Sequence, residues 1–403
     1  MDLIKNIEAQ INEADCPFYV LDLDKVKTNY NRFFTTLTSH YAKAKIAYSY
    51  KTNYMPHLCK TYHKLGAWAE VVSMMEYKIA LKNGAHPKDI LYNGPAKKFQ
   101  EIEVALRNQS VVHIDHLKEW AWIKTFAINN PDVPLRLALR INFKLSDQNA
   151  SRFGLSLENG DLALVANEIQ NTPSATVVGL HCHFTTKDRS VNSYRERVKK
   201  LIEVSKSLNV TGLEYLDVGG GFFSEMPDML ETQFSADIPS LEEYGSALSE
   251  ELKIGFPENG PVLVVEPGAA LSANTMQFYC KIWEIKNLQH APVAVCTGSK
   301  YNIKPTLHNL QMPYKVVHFN EGQRFDKIAV AGYTCKEDDV LIYEYSGPLA
   351  EGDYLVFQNI GAYSLVLKPP FIEADFPVFA VEKENITLVK RRQTAEDILS
   401  TYL

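Results

Sequence analysis

The sequence predicts an α/β protein, a (β/α)8 barrel joined to a mainly antiparallel β domain. Three observations carry this reading. Between about residue 40 and residue 270, eight short apolar runs alternate with amphipathic, helix-like segments. After about residue 275 the apolar runs continue with few helices between them, and turn signals separate them. The length, 403 residues, suits one large domain and a smaller one.

The eight runs are "KIAYSY" (45–50), "WAEVV" (68–72), "DILYN" (89–93), "VVHI" (111–114), "LRLALRIN" (135–142), "TVVGLHCHF" (176–184), "LEYLDV" (213–218) and "PVLVVEP" (261–267). Each is rich in β-branched or aromatic residues and short enough for one strand. Helices are expected in segments such as "MPHLCKTYHKLG", "MMEYKIALKNG" and "VNSYRERVKKLIEVSKSLN", whose closing Gly or Asn suits a helix C-terminus. A doubly wound sheet would show the same alternation; the count of eight points to the barrel.

Beyond residue 275, "QFYCKIWEIKNL", "APVAVCTG", "DKIAVAGYTC", "DYLVFQNIG" and "ITLVKRR" read as strands. Thr297-Gly298, Ser346-Gly347-Pro348 and Glu351-Gly352-Asp353 read as turns between them. "CPFYVLDL" (16–23) is strand-like and precedes the barrel, so it is assigned to the β domain. The expected division is 26–275 for the barrel, with 1–25 and 276–403 forming the β domain.

Composition excludes several classes. A hydrophobic content of 46%, a charged content of 22% and a net charge of −6 describe an ordinary globular chain. Basic residues are scattered, which argues against nucleic acid and anionic membrane surfaces as partners. No apolar run approaches the roughly 18 residues of a spanning helix, and "MDLIKNIEAQINEAD" is charged and helical, unlike a signal peptide. Six dispersed cysteines without CxxC spacing suit reduced thiols, and a cytoplasmic location is expected.

The chemistry of such a barrel lies at the C-terminal ends of its strands. Strand one ends at Lys51, strand six at His183, strand seven at Gly219-Gly220-Gly221 and strand eight at Glu266-Pro267-Gly268. The glycine triplet permits left-handed backbone and close approach, so its amides suit a phosphate, although a plain tight turn explains it equally well. Glu266 follows "PVLVV" and is expected inside the barrel mouth, where a buried carboxylate needs a partner. That partner is either a structural cation or a protonated pyridine nitrogen. His181 and His183 are expected in opposite phases of their strand, one facing the interior and one the helices. No third ligand has supporting spacing, so no metal site is expected. Lys51, after its apolar lead-in, reads as a desolvated nucleophile rather than a solvated strand end. Lysine, histidine, carboxylate and glycine cradle at one set of strand ends suggest a pyridoxal phosphate enzyme.

At these residues the chain resembles the fold type III pyridoxal phosphate decarboxylases, which share an alanine racemase-like barrel and include the diaminopimelate, ornithine and arginine enzymes. The resemblance runs from "CPFYVLDLDKV" to "GAYSLVLKPPF". It implies that Lys51 in "YSYKTN" anchors the cofactor and that Glu70 and Ser73 in "GAWAEVVSMMEY" lie near it. "SRFGL" (151–155) is similar to the family's SKFG segment. "HCHFTT" resembles HxHxGS, so His183 is implied to stack on the pyridine face and Thr186 to take the phosphate-binding serine's place. "DVGGGF" matches the phosphate loop with Gly219, Gly220 and Gly221. "EPG" supplies Glu266 and Gly268, and "GAYS" places Tyr363 at the phosphate. "GYTCKEDD" resembles GPxCExxD, which implies that Cys335 enters a partner subunit's active site in a homodimer with shared sites.

Departures from the family pattern bear on substrate. Lys336 replaces the acidic residue that follows the cysteine and would repel a distal ammonium. Ala269 replaces the arginine of EPGR, Thr185 replaces a glycine, and RPALY appears as "KPTLH" with Lys304 and His308. Lys304, His308 and Lys336 are therefore expected to meet a substrate with an anionic distal end, for example a citryl-amino acid of siderophore synthesis. Alternatives are a diaminopimelate or other basic amino-acid decarboxylase, a racemase on the same fold, and a non-catalytic decarboxylase-like binding protein.

Overall fold

Eighteen strands appear in chain order among the described residues, and they sort into two sheets. The computed structural model describes all residues except 12, 14, 147–150, 185–188, 209, 211 and 307. Strand β1 is Phe18–Asp22. Then come β2 (Ala44–Ser49), β3 (Trp68–Val71), β4 (Ile90–Tyr92), β5 (Val111–Ile114), β6 (Leu135–Asn142), the short β7 (Leu155–Ser156), β8 (Ala175–His181), β9 (Tyr215–Asp217) and β10 (Val262–Val265). The remaining strands are β11 (Met276–Asn287), β12 (Pro292–Cys296), β13 (Tyr314–Val317), β14 (Gln323–Ala331), β15 (Val340–Leu349), β16 (Tyr354–Phe357), β17 (Val378–Glu382) and β18 (Asn385–Lys390). The chain divides into two compact units: Met1–Val26, Met226–Ser235 and Ser272–Leu403 form one, and Lys27–Glu225 with Ala236–Leu271 form the other.

In the second unit the eight expected barrel strands all form, and every pairing is parallel. Their order is β5-β4-β3-β2-β10-β9-β8-β6, and β5 pairs β6 to close the ring, with β7 attached to β6. Helices follow the strands as the sequence suggests, including Pro56–Lys64, Met74–Lys82 and Val191–Ser207.

The inward faces make two layers. Ala47, Leu91, Val111, Ala138, Val178, Tyr215 and Val264 form a buried apolar cluster, with Trp68 and Val262 against it. Two residues further along a strand is one step up the same face. That step brings Ser49, Glu70, Asn93, His113, Arg140, Asp217 and Glu266, all buried. On β8 the step runs through a register irregularity: Ala138 faces Gly179 and Arg140 faces buried His181. Gly179 must be glycine, because a Cβ there would lie 2.2 Å from the Tyr215 ring. An apolar floor and a polar ring above it are therefore written into each strand as a pair of residues two apart.

The first unit holds the other sheet, ordered β15-β14-β12-β11-β1-β17-β18, with β16 paired to β11 and to β13. Its pairings are antiparallel except β1–β17 and β12–β14. Its core includes Ile4, Ile7, Phe18, Val20, Tyr279, Tyr354, Val356 and Phe379, with the Phe18 and Tyr279 rings stacked at 4.8 Å. Strands β13, β15 and β17 were not among the expected ones. The expected turn at Ser346-Gly347-Pro348 is instead part of β15. This strand lies at the sheet edge with repeated register shifts against β14, which is where a sheet tolerates proline and a glycine at φ +148. Among the described residues, no helix is long and apolar enough to cross a membrane.

Candidate active site

Strand β2 ends at Ser49, and a single 3-10 turn, Tyr50–Thr52, carries Lys51 to the barrel mouth. Its amine lies 2.7 and 2.8 Å from the two Glu70 carboxylate oxygens, and Ser49 Oγ also donates to Glu70. The Lys51 side chain is one-third exposed, whereas Glu70 is buried. Burial pushes the Glu70 carboxyl up, Lys51 pulls it back, and Glu266 pushes it up again. Ser73 is placed differently: it caps the helix Met74–Lys82 by accepting the Glu76 N–H. Glu76, buried below it, accepts the Val72 N–H at 2.8 Å, and burial raises its pKa to about 7.

Glu266 sits just past β10 in the polar ring. Asn93 Nδ2 donates to its Oε1 at 2.5 Å, and His181 Nε2 and His183 Nδ1 lie 3.5 and 3.7 Å from its Oε2. Both histidines thus approach the same carboxylate, which corrects the expectation that one would face the helices. Residues two apart share a strand face, and β8 ends at His181, so His183 continues upward on the same side. His183 Nδ1 accepts the Gly220 N–H at 3.0 Å, which leaves its own hydrogen on Nε2. Burial, assisted for His183 by Lys51 and for His181 by Arg140, pushes both imidazoles well below the usual histidine range. Burial raises both the Asp217 and Glu266 carboxyls, with Glu266 raising Asp217 further and Lys51 drawing Glu266 back.

The glycine triplet is held by its surroundings. Gly219 and Gly221 have φ of +72° and +96°. A Cβ on Gly219 would lie 2.6 Å from the Cys182 oxygen, and one on Gly220 would lie 2.3 Å from the Glu266 oxygen. The Gly219 amide donates to Asp217 Oδ1 at 2.9 Å and the Gly220 amide to His183. Two of the three amides expected to cradle a phosphate are therefore engaged by side chains, and Gly221 is the exposed member. Buried Arg197 and Tyr194 brace the loop from below through the Gly220 carbonyl, at 3.4 and 3.0 Å. Gly268 is needed for space: a Cβ would lie 1.9 Å from Thr52 Oγ1. Thr185 and Thr186 lie outside the described residues.

Around the polar ring, Arg140 pairs with Asp115 at 3.0 Å, and Lys97 with Glu119 at 2.9 Å, both buried. Phe153 of "SRFGL" lies under the Arg140 guanidinium, 4.7 Å away. His113, His181 and Asp217 each offer a ligand atom within 4.8 Å of the others. Arg140 and Lys97 act on both imidazoles as positive neighbours. Asn93, Arg140, Asp217 and the Lys97–Glu119 pair escaped residue-by-residue reading. The repeated pattern of an apolar residue followed two later by a polar one could have found all but the last.

The remaining expected residues lie in the β unit. Cys335 is exposed on the loop after β14. Buried Asp339 ties that loop to the turn at 299–302: Oδ1 accepts Ser299 Oγ and Lys300 N, and Oδ2 accepts Thr334 N and Oγ1. Lys336 is exposed and stands 3.6 Å from Asp338, and Tyr301 and Asp338 hold its ammonium above the usual lysine range. Lys304 is buried over the Tyr343 ring, 5.5 Å from its centre, and no carboxylate among the described residues pairs with it. Burial, then Lys300, lowers its pKa; burial and Lys304 do the same to His308. Tyr363 adopts φ +66° at the start of the short helix Ser364–Leu367, a strained conformation for a bulky residue.

Comparison with known proteins sharpens this picture. Residues 23–273 match the family model described as pyridoxal-dependent decarboxylase, pyridoxal binding domain. The diaminopimelate decarboxylase of Methanocaldococcus jannaschii is 24% identical over 401 residues, spanning 95% of this chain and 90% of that protein. The L-glutamyl acyl-carrier-protein decarboxylase of Niallia circulans is 25% identical over 420 residues, with 98% and 96% covered. The crystal structure of Helicobacter pylori diaminopimelate decarboxylase complexed with L-lysine matches with a TM-score of 0.84 at 21% identity, covering 98% of both chains.

Proposed function

Since the chain belongs to the pyridoxal-dependent decarboxylases, we propose that it removes the α-carboxylate of an amino acid or amino-acid conjugate whose far end is anionic. It is a pyridoxal phosphate-dependent carboxy-lyase acting on an amino-acid substrate. The residues fit that cofactor. The Lys51 amine is partly exposed beside buried carboxylates, the His183 ring is 24% exposed above Glu266, and Gly221 is exposed next to Gly219 and Gly220, where a Cβ would clash. When bound, the cofactor supplies an electron sink for the bonding pair released as carbon dioxide leaves. In this reading Lys51 would anchor it, Glu266 would offer an anionic oxygen to its ring nitrogen, and His183 would lie against its ring. In a homodimer with shared sites, the partner subunit's Cys335 would deliver the proton to the substrate α-carbon.

The observation that carries the substrate reading is Lys304, a buried cation with no carboxylate partner among the described residues. A buried charge without a counter-ion is costly, and a substrate carboxylate would supply one. Lys336 adds a like charge against a distal ammonium, although Asp338 and Tyr301 already engage it. Citryl-amino acid intermediates have the required chemistry. Diaminopimelate is the second reading, favoured by the names of the relatives; it presents both a distal carboxylate and a distal ammonium. The test is carbon dioxide release across citryl-amino acids, diaminopimelate, ornithine, arginine and lysine, repeated with Lys304→Gln. The expected result is turnover of carboxylate-ended substrates, with KM raised roughly tenfold or more by Lys304→Gln. Preference for ornithine, arginine or lysine, or an unchanged KM, overturns the reading.

A further inference from the structure

Asp217 and Glu266 stand on neighbouring strands. Asp217 pairs with Val264, and Glu266 is one step further on that same face. That register sets two buried carboxyl groups side by side, where two ionised carboxylates could only repel, since both only accept. A single proton held between them relieves that repulsion, and the surrounding groups decide which carboxyl carries it.

Glu266 is the better-supported anion. It accepts the Asn93 amide at 2.5 Å, Lys51 and Arg140 act on it as cations, and two imidazoles lie within 3.7 Å. Asp217 is fully buried, and its Oδ1 accepts the Gly219 N–H at 2.9 Å. Its Oδ2 receives no donor, and Glu70 adds a further negative neighbour. An ionised oxygen in that position would be desolvated without compensation, whereas a hydroxyl would have Glu266 to donate to. We propose that Asp217 is a neutral acid whose Oδ2 donates a hydrogen bond to Glu266 and thereby holds Glu266 as the carboxylate. Asp217 is a positioning residue, acting on the reaction through Glu266, and the inference rests on the proposed pairing of Glu266 with the ring nitrogen. Lys51, Glu70, His113, Arg140, His181, Cys182, His183 and Tyr215 are other titratable or charged groups near the pair.

Asparagine mimics the proposed state, since its Oδ1 can accept from Gly219 and its Nδ2 can donate to Glu266. The experiment takes the holoenzyme with Asp217→Asn, Asp217→Leu and Glu266→Gln, and records infrared difference spectra, cofactor absorbance and the pH profile of kcat. The expected result is that Asp217→Asn loses a protonated-carboxyl band present in the unmodified protein and keeps kcat within about threefold of it. Asp217→Leu is expected to lower kcat roughly tenfold or more, with an acid limb moved toward neutral pH. An infrared band that survives Asp217→Asn, or a kcat for Asp217→Asn as low as for Asp217→Leu, overturns the proposal. If Asp217→Leu does not fold, the Asp217→Asn band and kcat still decide. An unchanged absorbance and kcat in Glu266→Gln instead overturns the pairing of Glu266 with the ring nitrogen, and the infrared band then judges Asp217 by itself.

Discussion

Replacing Glu76 by Gln isolates one buried carboxyl whose titration falls in the neutral range. Glu76 is 5% exposed, its carboxylate accepts the Val72 N–H at 2.8 Å, and burial raises its pKa from 4.5 to about 7. The folded state therefore prefers the protonated form. Its contribution to stability is complete below the unfolded value near 4.5 and is lost as pH rises through about 7. A shift of about 2.5 units, at ~1.4 kcal/mol each, makes that loss about 3 kcal/mol. Glutamine keeps an acceptor for Val72 N–H and carries no titration. Urea unfolding followed by tryptophan fluorescence should thus show the unmodified protein losing about 3 kcal/mol relative to Glu76→Gln between pH 4.5 and pH 8. Parallel stability curves for the two proteins across that range would refute the reasoning.

Gly268→Ala should disturb the barrel mouth, because the new Cβ would fall 1.9 Å from Thr52 Oγ1. An overpacking cost of roughly 1–3 kcal/mol is expected, largely relieved by Thr52→Ala in the same chain; equal losses in the single and double variants count against it. Glu119→Ala leaves Lys97 buried without its partner and should cost roughly 3–5 kcal/mol in denaturant unfolding. Lys97→Met with Glu119→Leu should cost much less, and strict additivity would contradict the pairing argument.

The barrel was legible because each of its strands is short, apolar and separated from the next by a helical segment. The floor and ring pattern was also present, as in Tyr215 and Asp217 or Val264 and Glu266, but it becomes visible only when eight strands are set in register. Ser346-Gly347-Pro348 misled because turn chemistry and edge-strand irregularity use the same residues. His181 and His183 misled through strand phase: with β8 ending at His181, both rings rise on the side of Glu266. The state of Asp217 could not be read locally at all, since it depends on a carboxyl placed by another strand. The glycine triplet was found for its conformational freedom, yet its Gly219 and Gly220 amides serve Asp217 and His183.

The polar ring draws one residue from each of eight strands, the first at Ser49 and the last at Glu266. No fragment shorter than residues 49–266 contains it, and β2 meets β10 only when the sheet closes. During synthesis, a nascent chain that has not yet released Glu266 lacks the carboxylate expected to receive the cofactor. Cofactor capture would then act as a late checkpoint in the folding of this unit, reporting that its first and last strands have met.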